Sequence, residues 1–199
     1  MNTFKIYTPE NAISPANTLL ATVKDQLGFV PNVFTIIAES PPALKGFIAL
    51  NEQFAYSAFN ATCRKIIQIA VSIENQCSYC VAGHSAFAEM QHVSPEIIDT
   101  LQHNQSVADS KLEALNQFTR LLVHNKGMIS DQEIQQFLDV GYTAAHVIEI
   151  ILGVCVKTFS NLANNLIGIP LDDEFSQHAW QSKAQQAAAN PKTMRGEIS

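Results

Sequence analysis

Apolar residues recur at helical spacing in one segment after another along this chain, and no convincing strand pattern interrupts them. Residues 19–27 form a first amphipathic segment, stopped by Gly28, and a short helix over 32–39 follows the break at Val30-Pro31. Pro41-Pro42 opens a helix over 43–59, in which Leu44, Phe47, Ile48, Leu50 and Phe54 lie at near-helical spacing. Residues 64–73 are almost all apolar, as in a helix buried on every side. After Asn75-Gln76 a new helix runs from about 77 to 91, and Ser94-Pro95 starts a short one. Ser110 with Glu113 and Ser130 with Glu133 each fit the capping box, the first helix reaching about 125 and the second about 140. Residues 143–166 read as a long, very apolar helix, and 172–189 as a polar one. The expected fold is therefore all-α. A faint echo of Ala49-Leu-Asn-Glu-Gln-Phe54 in Ala114-Leu-Asn-Gln-Phe118 admits two related helical halves.

A chain of 199 residues is long enough for one domain with a real core. No linker divides it, so residues 1–185 are expected as one domain and 186–199 as a polar C-terminal tail. Apolar residues make up 47% and charged ones only 15%, which argues against disorder and points to surface covered by self-association. A net charge of −6 invites neither nucleic acid nor an anionic membrane. Residues 1–10 lack the pattern of a secretory signal, and the longest apolar run, 147–156, is broken by Glu149. A cytoplasmic protein is the expectation.

A reducing cytoplasm makes structural disulfides improbable, so closely spaced cysteines there read as redox or metal sites. Cys63 and Cys155 stand alone among apolar residues and are expected in the core. The other two lie in Glu74-Asn-Gln-Cys77-Ser-Tyr-Cys80-Val-Ala-Gly-His84. On a helix, residues three or four apart share a face, so Cys77 and Cys80 can join and His84 can sit beside the Cys80 sulfur. Cys77 is seven residues from His84, roughly 10 Å along the axis, and is harder for it to reach. The thiolate is the reactive form, and both a neighbouring base and a helix N-terminus favour it. Attack by Cys80 on a peroxide would give a sulfenic acid, which Cys77 would condense to a disulfide and an external dithiol would reduce. Zinc would need a fourth ligand that the spacing does not supply, with His92 the nearest candidate, so neither metal nor cofactor is expected. His103, His124, His146 and His178 show no ligand spacing.

The stretch from Arg64 to His84, with its Cys-Ser-Tyr-Cys and the histidine beyond, resembles the AhpD-like alkylhydroperoxidases of the carboxymuconolactone decarboxylase superfamily. Leu27-Gly-Phe-Val-Pro-Asn-Val-Phe34 is similar to the N-terminal signature of the peroxidase-related branch. Ile129-Ser-Asp, Val140-Gly-Tyr and the apolar helix ending near 161–165 are similar to its C-terminal half. The resemblance implies an all-helical fold, a homo-oligomer (often a trimer or hexamer), and hydroperoxide reduction with Cys80 attacking, Cys77 resolving and His84 relaying the proton. It also exposes a departure: the family's relay glutamate falls, in this register, on Lys65, which cannot orient an imidazole as a carboxylate does. Two carboxylates could substitute. Glu74 lies three residues before Cys77, and Glu149 interrupts an apolar helix, where it either faces His84 or joins a polar stripe with His146, Lys157 and Asn161. Tyr79 either donates a hydrogen bond near the thiolate or packs. Beside the peroxidase stand a thiol–disulfide exchange protein acting on another protein, and, ranked lower, a lactone decarboxylase and a metal-binding module.

Overall fold

The structure is a computed structural model, and it describes residues 4–182 together with 185 and 186. Among these residues the regular elements are helices in the order α1 (Ala16–Leu27), α2 (Asn32–Ile37), α3 (Pro41–Ala55), α4 (Ala61–Glu74), α5 (Ser78–Met90), α6 (Pro95–Gln102), α7 (Ser110–His124), α8 (Asp131–Asp139) and α9 (Ala144–Ile167), then a 3-10 turn, Asp173–His178. The all-helical expectation holds. It fails at the start of the last expected helix: from 172 the chain makes this single 3-10 turn and then an irregular stretch over 179–182, because Phe175 folds inward and is buried, while 185 and 186 are helical and the remainder of that helix lies outside the described residues. The tail expected over 186–199 lies outside the described residues except for Gln186.

The centre is α4. Residues 65–73 of this helix are all buried, and α5, α7 and α9 pack around it. Its start is fixed by Asn60, whose side chain accepts from the Cys63 N–H at 2.9 Å. On α9, Gly153 allows close approach, since a Cβ there would stand 2.8 Å from the Phe54 ring and 2.9 Å from Ile67. A stack of Phe118, Phe137 and Tyr142, with centroids 4.1 and 4.4 Å apart, ties α7 to α8 and the loop before α9.

The caps show where local rules held. Ser130 and Glu133 form the expected capping box of α8. At α7 the cap is Asp109 instead of Ser110, its carboxylate accepting from the Lys111 and Leu112 N–H groups, and Glu113 turns outward to the Val107 N–H. A second box, unforeseen, pairs Thr143 with His146 at the start of α9.

Helix α9 is long and apolar enough to cross a bilayer, yet one face carries buried Lys157, Ser160, Asn161 and Asn164 against the core. Its opposite face is open. Ile148, Ile151, Cys155, Phe159, Leu162 and Leu166 are exposed there. Cys63 is buried as expected, but Cys155 sits on this open face, because helical periodicity places it opposite Lys157 and Gly153.

Candidate active site

Between α4 and α5 the chain reverses in three residues. Asn75 ends α4, Gln76 takes a left-handed conformation (φ 54°), and Cys77 is the extended residue that precedes α5. Cys77 N–H reaches back to the Ser72 carbonyl at 2.9 Å, and its own carbonyl accepts from Val81 at 3.0 Å. Cys77 is therefore fixed at the N-terminus of α5, Cys80 lies in the first turn and His84 one turn beyond. Both sulfurs are buried.

Beside them is a cavity of about 340 Å³. Phe34, Phe47, Phe54, Phe87 and Phe175 supply its apolar walls, and Cys80, His84, Arg64, Lys65 and Lys157 its chemistry. Gly83 keeps the wall thin: a Cβ there would press on the Phe175 ring at 3.1 Å. Among the described residues no carboxylate side chain lines the cavity.

The sulfur environment is asymmetric. Asn164 donates its amide to Cys80 Sγ at 3.3 Å, from the buried face of α9. Burial by itself would push the Cys80 thiol up; the hydrogen bond from the Cys77 thiol, the Lys157 ammonium and hydrogen bonds from Asn161 and Ser160 outweigh it and bring it below the ordinary value. Cys77 moves the opposite way, raised by that same shared hydrogen bond, by burial and by the Cys80 charge. One proton is thus held on Cys77 and the negative charge is placed on Cys80. Lys157 is itself positioned by Ser160, whose hydroxyl accepts from Nζ at 2.9 Å.

His84 is half-buried, and desolvation, then Lys157, then Lys65 hold it well below the usual histidine range. It is a neutral imidazole, and its buried Nδ1 has no hydrogen-bond partner among the described residues. Lys65, at the position where the resemblance led one to seek a glutamate, does face this cavity. Its ammonium meets the neutral Gln68 Oε1 at 3.2 Å and the Phe87 ring at 5.4 Å. Burial, with Lys157 and Arg64 adding repulsion, pushes Lys65 down to about 7.

Neither substitute carboxylate comes to His84. Glu74 is taken by Arg120 of α7, whose Nε lies 2.7 Å from its Oε1. Glu149 accepts from the Ala58 N–H with both oxygens, at 3.0 and 3.1 Å, and so braces the turn after α3. Tyr79 lines the cavity, but its hydroxyl donates to Asp172 and accepts from the Val33 N–H at 3.2 Å. It ties α5 to α2 and to the segment before the 3-10 turn. Among the described residues no three His, Cys, Asp or Glu side chains converge on a point that could hold a metal ion.

Two buried groups central to this arrangement, Lys157 and Asn164, were absent from the sequence-derived site. Both are polar residues interrupting an apolar helix on the face that also carries Ser160 and Asn161, a signal the polar stripe drawn through Lys157 and Asn161 partly captured.

This combination of a helical bundle with a paired-cysteine helix at a cavity wall defines a class. Residues 41–122 match the model of the carboxymuconolactone decarboxylase family. The fold is that of an AhpD-core, peroxidase-related protein from Ralstonia eutropha JMP134, with a TM-score of 0.79, 23% identity, and 86% of this chain and 93% of that chain covered. It is shared by a peroxidase-related protein from Silicibacter sp. TM1040 (TM-score 0.76, 17% identity, 87% and 92% covered). It is shared too by the debrominase Bmp8 (TM-score 0.71, 17% identity, 83% and 90% covered). A comparison with curated proteins returned no match. Residues 41–122 thus carry the likeness to the carboxymuconolactone decarboxylase family, and the chain as a whole shares the AhpD-like helical fold.

Proposed function

We propose that this protein is a thiol-dependent reductase of organic hydroperoxides, with Cys80 as the attacking sulfur and Cys77 as the resolving one. The observation that carries the reading is the asymmetry of the pair: the sulfur facing the cavity is the one held as thiolate. Cys80 thiolate attacks the terminal peroxide oxygen, the O–O bond breaks, and the departing alkoxide takes a proton to leave as alcohol. Cys80 is then a sulfenic acid. Cys77 sulfur displaces its hydroxyl, which leaves as water with the Cys77 proton, and a disulfide forms. An external dithiol, small or protein-borne, returns two electrons and two protons by exchange.

Neutral His84 lines the cavity together with Cys80 and is suited to pass a solvent proton to the departing alkoxide, while the Cys77 proton leaves with the hydroxyl as water. A glutamate is not part of this relay: Glu74 serves Arg120 and Glu149 serves Ala58. The reading places the protein in a reducing compartment, the cytoplasm, and includes self-assembly. Buried sulfurs beside a cavity favour a small hydroperoxide as the oxidising substrate.

The test is turnover of cumene hydroperoxide with a chemical dithiol. Wild type consumes it, Cys80→Ser does not, and Cys77→Ser stops after one equivalent with Cys80 trapped as sulfenic acid. Unimpaired turnover in Cys80→Ser would end the proposal. So would an inert wild type that instead debrominates a bromopyrrole, the chemistry of the Bmp8 fold neighbour, solved in one form with 2,3,4-tribromopyrrole.

A further inference from the structure

The charges lining the cavity do not balance. Among the described residues that line it, Arg64, Lys65 and Lys157 are three cations, no carboxylate is present, and the Cys80 thiolate is the counter-charge. Lys157 is the cation that acts on Cys80. Lys65 is left in apolar surroundings, only 8% exposed, with a neutral amide as partner. Arg64, beside it on α4, donates to the Phe59 carbonyl, also neutral. Burying an ammonium without a counter-charge is costly. Beside it, His84 Nδ1 is a buried polar atom with no partner among the described residues. Two independent features therefore leave room for one polar, anionic group inside an otherwise aromatic cavity.

We infer that the substrate is an amphipathic hydroperoxide bearing a carboxylate, which Lys65 and Arg64 bind while its apolar body lies among Phe34, Phe47, Phe54 and Phe87. This rests on the hydroperoxide reading and specifies the substrate class of the same site. The carboxylate supplies the missing negative charge. Lys65 carries less charge once pH passes about 7, so the preference for an acid fades above that value. Arg64 stays protonated throughout; Cys80 gains its negative charge at about 6 and disfavours a carboxylate in the same sense, so the Lys65 contribution is the part of the pH dependence that Lys65→Met removes.

The experiment compares cumene hydroperoxide with its para-carboxylated counterpart, identical at the O–O bond. Wild type should favour the acid in kcat/KM by on the order of tenfold, as one charge-assisted hydrogen bond supplies. In Lys65→Met and Arg64→Gln the acid-to-neutral ratio should collapse toward one, through KM for the acid. A proton-relay role for Lys65 would instead lower kcat for both substrates equally and would overturn the subsite. Equal handling of both substrates by wild type would do the same. Should wild type reduce neither, the hydroperoxide reading fails, and the subsite is read separately by calorimetry with para-isopropylbenzoate and its methyl ester. Binding of the acid alone, lost in Lys65→Met, supports the subsite, and equal or absent binding of both refutes it.

A second inference rests on the open face of α9. Its exposed residues from Ala144 to Leu162 are all apolar, among them Ile148 (65% exposed) and Leu162 (63%). They are self-complementary about Cys155. Laid antiparallel on a second copy, Ile148 meets Leu162, Ile151 meets Phe159, and Cys155 meets Cys155. We propose that a second copy of this chain covers this face by a two-fold, antiparallel α9 contact. The absence of any cation on the face argues against an anionic lipid surface as its occupant. A two-fold contact builds a dimer or a hexamer of three pairs, and excludes a simple trimer.

Sedimentation of the full chain at micromolar concentration should give an even-numbered assembly, dissociated by Ile151→Lys or Leu162→Lys with unchanged helical content. Mild oxidation by copper phenanthroline should join two chains through Cys155, each thiol giving up one electron and one proton, and Cys155→Ser should not be joined. A monomer, a trimer, an assembly untouched by both lysine variants, or flotation with lipid vesicles would overturn it.

Discussion

Replacing Asn164 by leucine tests the central claim that α9 makes the Cys80 thiolate. The side chains are similar in volume, so the cavity wall is kept. What is removed is the amide N–H 3.3 Å from Sγ and a second hydrogen bond to the Ser160 carbonyl at 2.8 Å. A hydrogen bond to a charged acceptor contributes about 1.5–3 kcal/mol, less for a long contact to sulfur, and one pKa unit corresponds to about 1.4 kcal/mol. The Cys80 thiol should therefore rise by about one unit. Folding should be little affected, since Asn164 Oδ1 is buried without a partner and leucine removes that cost along with the lost bonds. The assay is the rate of alkylation by iodoacetamide as a function of pH in the Cys77→Ser, Cys63→Ser, Cys155→Ser background, so that one sulfur is read. A group with a lowered pKa keeps its thiolate until pH falls through that lowered value. The Asn164→Leu midpoint should therefore lie about one unit above that of the parent. Loss of the Cys77 hydrogen bond shifts both proteins alike and cancels in the comparison. If the two midpoints coincide while both proteins melt at the same temperature, Asn164 does not stabilise the thiolate and the reasoning fails.

Three further outcomes follow from the same structure. Glu74→Gln should leave hydroperoxide turnover within about twofold and cost stability by about 1 kcal/mol, since the half-buried contact with Arg120 loses its charge but keeps a hydrogen bond, which thermal melting with kinetics will read. Gly153→Ala should lower the melting temperature by an amount equivalent to about 1–3 kcal/mol, since its Cβ would enter the space of Phe54 and Ile67; an unchanged melt would mean that the contact relaxes freely. Tyr79→Phe should loosen the α2–α5 junction, measured as faster amide exchange at Val33, whose N–H loses its acceptor, without shifting the Cys80 alkylation midpoint by more than a few tenths.

Much of this was visible in the sequence because its signals are local. Periodicity located the helices, Ser130-x-x-Glu133 its capping box, and the four-residue step from Cys80 to His84 put sulfur and imidazole on one helix face. The misreadings share a cause. Glu74 and Glu149 were sought near His84 because a carboxylate was needed there, but sequence spacing does not say what a side chain meets across a helix interface. Arg120 and the Ala58 N–H, 46 and 91 residues away, claimed them. Lys157 and Asn164 are equally remote from Cys80 in the chain, and only the close approach of α9 through Gly153 brings them to it. Cys155 was placed in the core on its apolar neighbours, yet in a helix so uniformly apolar those neighbours do not say which face looks inward. The stretch opening at 172 was read as helix because its residues are polar and permissive, while Phe175 had a cavity to close.

The dependence of Cys80 on α9 and Phe175 has a consequence for biosynthesis. A ribosome exposes the cysteine pair when more than half of the groups that tune it have yet to be made. Lys157, Ser160, Asn161, Asn164 and Phe175 all lie downstream, and at about 5–20 residues per second they follow only after several seconds. Until then Cys80 is an ordinary thiol in a nascent chain, mostly protonated and slow to oxidise. Under the proposed mechanism, reactivity is switched on by completion of the fold, and the sulfur meets peroxide as a thiolate only when Cys77 stands in place to resolve it.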